Sequence, residues 1–389
     1  MKKICFIASA VYTIGGEQSV LALIANELCK RYDVTIYTHE NKCKTTSLLE
    51  KLQAEVKVVY VPKVRHGFVY VLVAIFNRFF RKLFNNKFAQ YLMKCAYYPK
   101  KTLNYWIKEI NINNYDTVIT VSGSKSYSIM LGYIKHKINA KVIAWEHSSY
   151  EAYFSYPSSY YYNRKSAFIN EVRKLDKCVV LNSDISNKYM ENLGIETIVI
   201  HNPCKPLEKV ENNCYNKQFI ACGRLEEEKG YEGLIDAFNI FFKENQEWRL
   251  VLLGDGSKYE VIRKKIEKYG LQNNVIMMGY KTDVSKYYSE SSIFLMTSKW
   301  EGFPMTVLEA FQSGLPIIAF NIPAMQPLVD NGKEGYLIEP ENYNAFAKKM
   351  ILLASSPNEI YRMSFEARKK AKLFSIENIV AKWIKLIES

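Results

Sequence analysis

The chain has 389 residues, of which 48% are hydrophobic and 24% charged. That is enough to bury a large core and to divide into two domains, and it excludes a disordered or low-complexity chain. The formal net charge is +14; residues 1–200 carry 28 Lys and Arg against 15 Asp and Glu, and residues 201–389 carry 25 against 24. The basic excess therefore belongs to the first half. No run reaches the ~18 apolar residues of a membrane-spanning helix. The longest, Phe68 to Phe76, ends at Asn77-Arg78. The eight cysteines include no CxxC pair, which favours reduced thiols in the cytosol over disulfides or zinc.

The start, Met1-Lys2-Lys3-Ile4-Cys5-Phe6-Ile7, superficially resembles a signal peptide. Its apolar run is short and leads into Gly15-Gly16-Glu17, so it reads as a first strand, Lys3 to Ala8. A helix is expected from Glu17 to Arg31. Strands follow at Asp33–Tyr37 and Val56–Val61, then helices to about Ile110. Further strands are expected at Asp116–Val121, Lys141–Trp145, Lys177–Leu181 and Thr197–Ile200, with a helix over Ser183–Leu193. His201-Asn202-Pro203-Cys204 reads as a linker. The alternation then restarts. Strands are expected at Phe219–Cys222, Arg249–Leu253, Val275–Met278, Ile293–Met296 and Pro316–Phe320. Helices fall over Tyr231–Asn245, Lys258–Tyr269 and Met305–Gln312. Repeated strand-helix alternation implies parallel sheets with helices on both faces. The expected fold is α/β, with two doubly wound, Rossmann-like domains facing a central cleft. They cover residues 1–200 and 201–370, with residues 371–389 as a terminal helix packing back toward the first domain. Ligands in such folds sit at the carboxyl ends of the strands.

Residues 63–101 hold nine Lys and Arg and no acid, interleaved with Phe, Tyr, Leu and Val. Such a segment suits an anionic membrane surface, with Arg78, Arg81, Lys82 and Lys87 as the contacting cations. A buried helix pair with solvated basic edges is the bland alternative. No nucleic-acid module is visible.

Glu301-Gly302-Phe303-Pro304-Met305-Thr306-Val307-Leu308-Glu309 sets two carboxylates eight positions apart across a turn and a helix start. Pro304 suits that start, because its missing N–H would have no partner there. The free N–H groups of a helix terminus attract phosphate. Gly223-Arg224-Leu225-Glu226-Glu227-Glu228-Lys229-Gly230 follows a strand and opens another helix. Its two cations can offset the charge of a departing diphosphate; the alternative is a solvated loop of i,i+4 pairs. Glu309 suits a ribose diol, and Glu301 sugar hydroxyls or the charge on a breaking sugar bond. Gly254 and Gly256 permit close backbone approach, and Tyr280 begins a loop able to line a base. Gly15-Gly16 is not GxGxxG, and no acid ends the second strand, which disfavours NAD. His147, in Trp145-Glu146-His147-Ser148, ends a strand and suits a sugar contact; Glu146 could orient it or act as an acceptor-side base. A lone histidine is more often structural.

These residues resemble the family-4 retaining glycosyltransferases of GT-B fold, over almost the whole length. The carriers are Gly15-Gly16-Glu17, Glu146-His147-Ser148, the Gly223–Gly230 loop, Gly254-Asp255-Gly256, and Glu301 through Ala310, which resembles the family's E-x7-E motif. The resemblance implies a UDP-sugar donor held mainly by the second domain, no cofactor and no required metal. It assigns Arg224 and Lys229 to the diphosphate, Glu301 and His147 to the donor sugar, and Glu309 to the ribose. Backbone at Gly302, Phe303, Pro304 and Met305 would meet phosphate and sugar, with Gly15, Gly16 and Gly223 completing the donor site. It implies front-face substitution onto a lipid-linked saccharide (a polyprenyl diphosphate) in bacterial capsule or O-antigen synthesis. The enzyme would sit peripherally on the inner face of the plasma membrane. Asn202-Pro203-Cys204 departs from the Asn-Gly turn of many relatives, which leaves the hinge open. A GT-B enzyme acting on free nucleotide sugar, such as a hydrolysing epimerase, would need no basic insert. A non-catalytic assembly module would need no intact Arg224, Lys229, Glu301 and Glu309.

Overall fold

The computed structural model describes residues 1–13, 15–40, 52–62, 72, 94–122, 126–155, 159–204 and 215–389. Arg78, Arg81, Lys82 and Lys87 lie outside the described residues. The chain divides into two units. One is Met1–Pro203 with Ile379–Ser389, and the other is Cys204–Asn378. The first boundary follows Pro203 instead of residue 200, and the terminal segment joins the first unit from Ile379 instead of 371.

The first unit is built on seven strands: β1 (Lys3–Ala8), β2 (Asp33–Thr38), β3 (Lys57–Tyr60), β4 (Thr117–Ser122), β5 (Lys141–Glu146), β6 (Lys177–Val180) and β7 (Ile198–Val199). They lie in the order β3-β2-β1-β4-β5-β6-β7, all parallel. A parallel sheet covered on both faces needs continuous apolar runs, and Ile4 through Ala8 are all buried. The first helix, Gly16–Leu28, buries Val20, Leu21, Ile24 and Leu28 and stops before Arg31. The loop before it is pinned by Glu40, which accepts from the N–H groups of Val11 (2.7 Å), Tyr12 (2.6 Å) and Thr13 (3.2 Å). The Ser183–Leu193 helix is framed by Asn182, which accepts from Ile185 N–H at 2.9 Å, and by Gly194 in a left-handed conformation. A terminal helix, Ile376–Glu388, enters this unit at Ile379. Its Trp383 is buried edge-on to Trp145, with ring centroids 4.8 Å apart. Its Glu388 accepts from Lys2 and from the Tyr32 hydroxyl, both at 2.6 Å.

The second unit has six parallel strands: β8 (Gln218–Cys222), β9 (Arg249–Leu253), β10 (Val275–Met277), β11 (Ile293–Met296), β12 (Ile317–Phe320) and β13 (Gly335–Ile338). Their order is β10-β9-β8-β11-β12-β13. Helices Tyr231–Phe242, Tyr259–Lys268, Met305–Gln312, Tyr343–Ala354 and Pro357–Lys372 accompany them. Phe219, Phe241 and Trp248 form one core cluster, with Phe219 at 5.0 and 4.6 Å from the other two rings. The strand order runs outward one way from β8 and the other way from β11. Adjacent loops diverge at such a switch point and leave a crevice at the carboxyl ends.

Three loops on the β8 side are stitched together at glycines. Gly223 N–H donates to Leu253 O and Gly254 N–H to Gly279 O, each at 2.9 Å. Gly254 has φ +143°, and a Cβ there would stand 1.8 Å from Gly223 O. Gly254→Ala is therefore expected to force the β8 and β9 loops apart. Urea denaturation should show a loss of at least about 1–3 kcal/mol. An unchanged midpoint would contradict this packing.

Candidate functional site

The β8/β11 switch point brings together residues far apart in sequence. After β8 the chain passes from Gly223 to Gly230. After β11 it passes from Thr297 to Pro304. Gly230 has φ +67°, and a Cβ there would lie 2.3 Å from Thr297 O. That close approach places Lys229 on the β11 loop, where its Nζ meets Glu301 Oε1 at 2.5 Å. Ser298 Oγ donates to the same oxygen at 2.9 Å. The Lys229 and Glu301 side chains are only 19% and 15% exposed, so their attraction is weakly screened. Cys222, Tyr231, Thr297, Ser298 and Thr306 line the pocket around them.

The three glutamates between the cations each hold a different partner. Glu226 accepts from Ser257 N–H at 3.0 Å and from its hydroxyl at 2.5 Å. Glu227 meets Lys258 at 2.5 Å and Lys299 at 2.9 Å. Those bonds hold its carboxyl down at about 2. Glu228 pairs with Arg224 at 3.2 Å, an i,i+4 contact. The loop is thus clamped at Glu226 and Glu227, while Arg224 stands 75% exposed. Arg224 lies on the same loop as Lys229, but turned to its own Glu228.

Glu309 sits within the Met305–Gln312 helix, where Oε2 accepts from the Tyr288 hydroxyl at 3.2 Å. Tyr288 is fully buried and also shares a hydrogen bond with the Cys222 thiol. Burial, with the charge of Glu309, pushes that thiol up to about 12. Tyr288 therefore links Glu309 to the end of β8. Pro304 precedes the helix at its cap position, and no side chain caps the terminus. Phe303 turns its ring into the core against Phe374, with centroids 5.8 Å apart, so Gly302 to Met305 can meet a ligand chiefly through main chain. Tyr280 follows β10 and is half exposed. Gly256 lies against Leu225, where a Cβ would stand 2.5 Å from its carbonyl oxygen.

Tyr288 and Ser298 were not legible from the sequence. Tyr288 lies on the five-residue helix Ser285–Ser289, and its role depends on a contact 21 positions away. Tyr288→Phe keeps the ring and removes the bond that orients Glu309. It is expected to raise the donor KM by about three- to tenfold, the worth of one ordinary hydrogen bond acting through Glu309, with kcat near wild type. An unchanged KM would remove Tyr288 from the site.

His147, Gly15 and Gly16 belong to the first unit. Gly15 directly precedes the Gly16–Leu28 helix. His147 follows β5 and packs its ring on Trp145, with centroids 4.2 Å apart. Its Nε2 is shielded and makes no hydrogen bond among the described residues. Burial pushes the imidazole down to about 3, so it is neutral near pH 7. Glu146 is fully buried and accepts from Ser128 Oγ at 2.7 Å. Burial and the charge of Glu146 push Glu17 up to about 8. Among the described residues, no group of three or more His, Cys, Asp or Glu is arranged to hold a metal ion.

Residues 207–370 match the family model described as "Glycosyl transferases group 1". That stretch contains Arg224, Lys229, Glu301 and Glu309. An uncharacterized glycosyltransferase of Haemophilus influenzae is 27% identical over 98% of this chain and 99% of its own length. The poly(ribitol-phosphate) alpha-N-acetylglucosaminyltransferase of Staphylococcus aureus is 27% identical over 83% of this chain and 62% of its own, so this chain spans less than two thirds of that relative. The crystal structure of an S. aureus TarM variant with fondaparinux, alpha-GlcNAc-glycerol and UDP is similar with TM-score 0.78, at 18% identity across 100% of both chains. At that identity the likeness speaks for the fold. The chain has the GT-B fold, and the match to the group 1 glycosyl transferase model falls within its second unit.

Proposed function

We propose that the chain is a family-4, retaining, metal-independent glycosyltransferase. It moves a hexose or N-acetylhexosamine from a UDP-sugar to a lipid-linked (polyprenyl diphosphate) saccharide during bacterial surface polysaccharide synthesis. The observation that carries this reading is the meeting of Lys229 and Glu301 at the β8/β11 switch point, with Glu309 on the helix that follows. A cation facing a carboxylate in a narrow crevice is a preorganised place for a diphosphate and a sugar. A UDP-bound structure of like fold and a relative named as an N-acetylglucosaminyltransferase support the donor class.

In this reading Lys229 turns from Glu301 to the diphosphate as the donor enters, and Arg224 swings from Glu228 to join it. Glu301 then faces the sugar hydroxyls, and Glu309 accepts from the ribose diol. The two cations stabilise the UDP oxyanion as the glycosidic bond breaks. The departing phosphate oxygen takes the proton of the acceptor hydroxyl on the same face, so configuration is retained. Neutral His147 contacts the donor sugar as a hydrogen-bonding group. No helix among the described residues is long and apolar enough to cross a membrane; we place the enzyme peripherally on the inner face of the plasma membrane.

The test is a screen of UDP-sugars against polyprenyl diphosphate saccharides, with and without EDTA, read as free UDP and as product anomer. Acceptor-dependent, EDTA-insensitive UDP release with a retained anomer is expected. UDP release that ignores the acceptor would favour a hydrolase, and an inverted product would exclude the mechanism.

A further inference from the structure

The Pro357–Lys372 helix presents an outer face unlike that of an ordinary surface helix. Its inner face buries Ile360, Met363, Ser364, Ala367 and Ala371. From 357 to 373, the exposed residues are Asn358, Tyr361, Arg362, Phe365, Arg368, Lys369, Lys372 and Leu373. They recur at three- and four-residue steps and so share one stripe. Phe365 is 68% exposed, Leu373 62% and Tyr361 51%. A solvated helix face normally holds polar residues of both signs. This one carries four cations, three large apolar groups and no acid. The acids of the helix are drawn aside. Glu359 is half-buried and pairs with Arg362 at 2.6 Å, and Glu366 is half-buried near Lys333. Lys369 and Lys372 make no ion pair with a described residue.

We infer that this face docks on an anionic phospholipid surface. Phe365, Tyr361 and Leu373 insert at the headgroup level, and the cations meet lipid phosphates. Charge complementarity selects this occupant. A second copy of the chain would bring the same cations face to face about a two-fold axis. A polyanion without an apolar phase would leave Phe365 and Leu373 in water. The stripe is distinct in sequence from residues 63–101 and does not depend on the donor reading. It bears on the site nonetheless, because this helix packs against Met305–Gln312. Arg368 also donates to Ser313 O at 3.3 Å, at the end of that helix. A bilayer held on the outer face thus fixes the mount of Glu309.

The experiment is co-sedimentation of the full chain with phosphatidylcholine vesicles, with and without phosphatidylglycerol. Wild type is compared with Phe365→Ser, with Lys369→Glu/Lys372→Glu, and with Arg78→Glu/Arg81→Glu/Lys82→Glu. Far-UV circular dichroism and the thermal unfolding midpoint report that each variant is folded. Binding to the anionic vesicles alone is expected. A loss of about tenfold or more is expected in each of the first two variants, with the thermal midpoint unchanged. The inference is overturned if only the Arg78/Arg81/Lys82 variant loses vesicle binding, or if wild type binds no vesicles. It is equally overturned if the helix variants change only self-association or binding to single-stranded RNA.

Discussion

Lys229→Ala is expected to lower kcat/KM by about a hundred- to a thousand-fold, the usual cost of removing one preorganised donor from a developing oxyanion. Lys229 is held where it is needed by the Gly230 turn against Thr297 and by its 2.5 Å contact with Glu301. Its removal leaves Glu301 with the Ser298 hydroxyl at 2.9 Å as a bonded donor. The folding cost should therefore stay near about 1–3 kcal/mol, read from denaturant midpoints. Arg224→Ala should lower turnover in the same direction with almost no folding cost, because its pair with Glu228 is solvent-exposed and such pairs are worth about 0–1 kcal/mol. Steady-state kinetics with free UDP as readout checks both variants. Transfer at the wild-type rate by either one would remove it from the diphosphate site.

Glu309→Ala should act differently. A carboxylate bonded to a ribose diol contributes equally to ground and transition states, so its loss appears in KM. The expected rise in donor KM is about ten- to a hundredfold, from about 1.5–3 kcal/mol for hydrogen bonds to a charged group. The same change removes one of the bonds of the buried Tyr288 hydroxyl, the one to Glu309 at 3.2 Å, and leaves its bond with the Cys222 thiol, which should cost about 0.5–1.5 kcal/mol of stability. Glu309→Gln keeps an acceptor oxygen for Tyr288. It should restore most of that stability and only part of the affinity. A Glu309→Ala enzyme with unaltered KM but reduced kcat would contradict the ribose assignment.

The parts of this molecule with local causes could be read from the chain. The Ser183–Leu193 helix was legible because Asn182 and Gly194 frame it, and both cap as their types predict. β1 through β12 were legible as short apolar runs between turn residues, continuous and buried in central strands such as β11 and only half-buried in edge strands such as β3 and β7, although several ends moved by a residue. The Met305–Gln312 helix followed from Pro304 and Gly314. β13 and the Tyr343–Ala354 and Pro357–Lys372 helices carry no such local signature, whereas the terminal helix expected over 371–389 runs over Ile376–Glu388. In Pro357–Lys372, Tyr361 and Phe365 on the outside blur the apolar periodicity that would have marked a buried face.

The candidate site divides in the same way. The E-x7-E spacing and the loop cations are local, so they stood out. That Lys229 would meet Glu301, 72 residues on, depends on β8 lying beside β11. Strand order is not written in any one segment. The clamping of Glu226 and Glu227 by Ser257, Lys258 and Lys299 is likewise a product of sheet order, and so is the Tyr288 bond to Glu309. His147 was legible as a strand-end residue. The burial that keeps it neutral comes from Trp145 and its surroundings, which a lone histidine does not announce.

The β8/β11 crevice is expected to hold the nucleotide diphosphate of the donor. A crystal structure of the chain soaked with UDP tests it most directly. The diphosphate is predicted within hydrogen-bond reach of Lys229 and Arg224, with the ribose hydroxyls on Glu309 and Lys229 drawn off Glu301. UDP bound elsewhere, with the Lys229–Glu301 contact intact, would contradict the account.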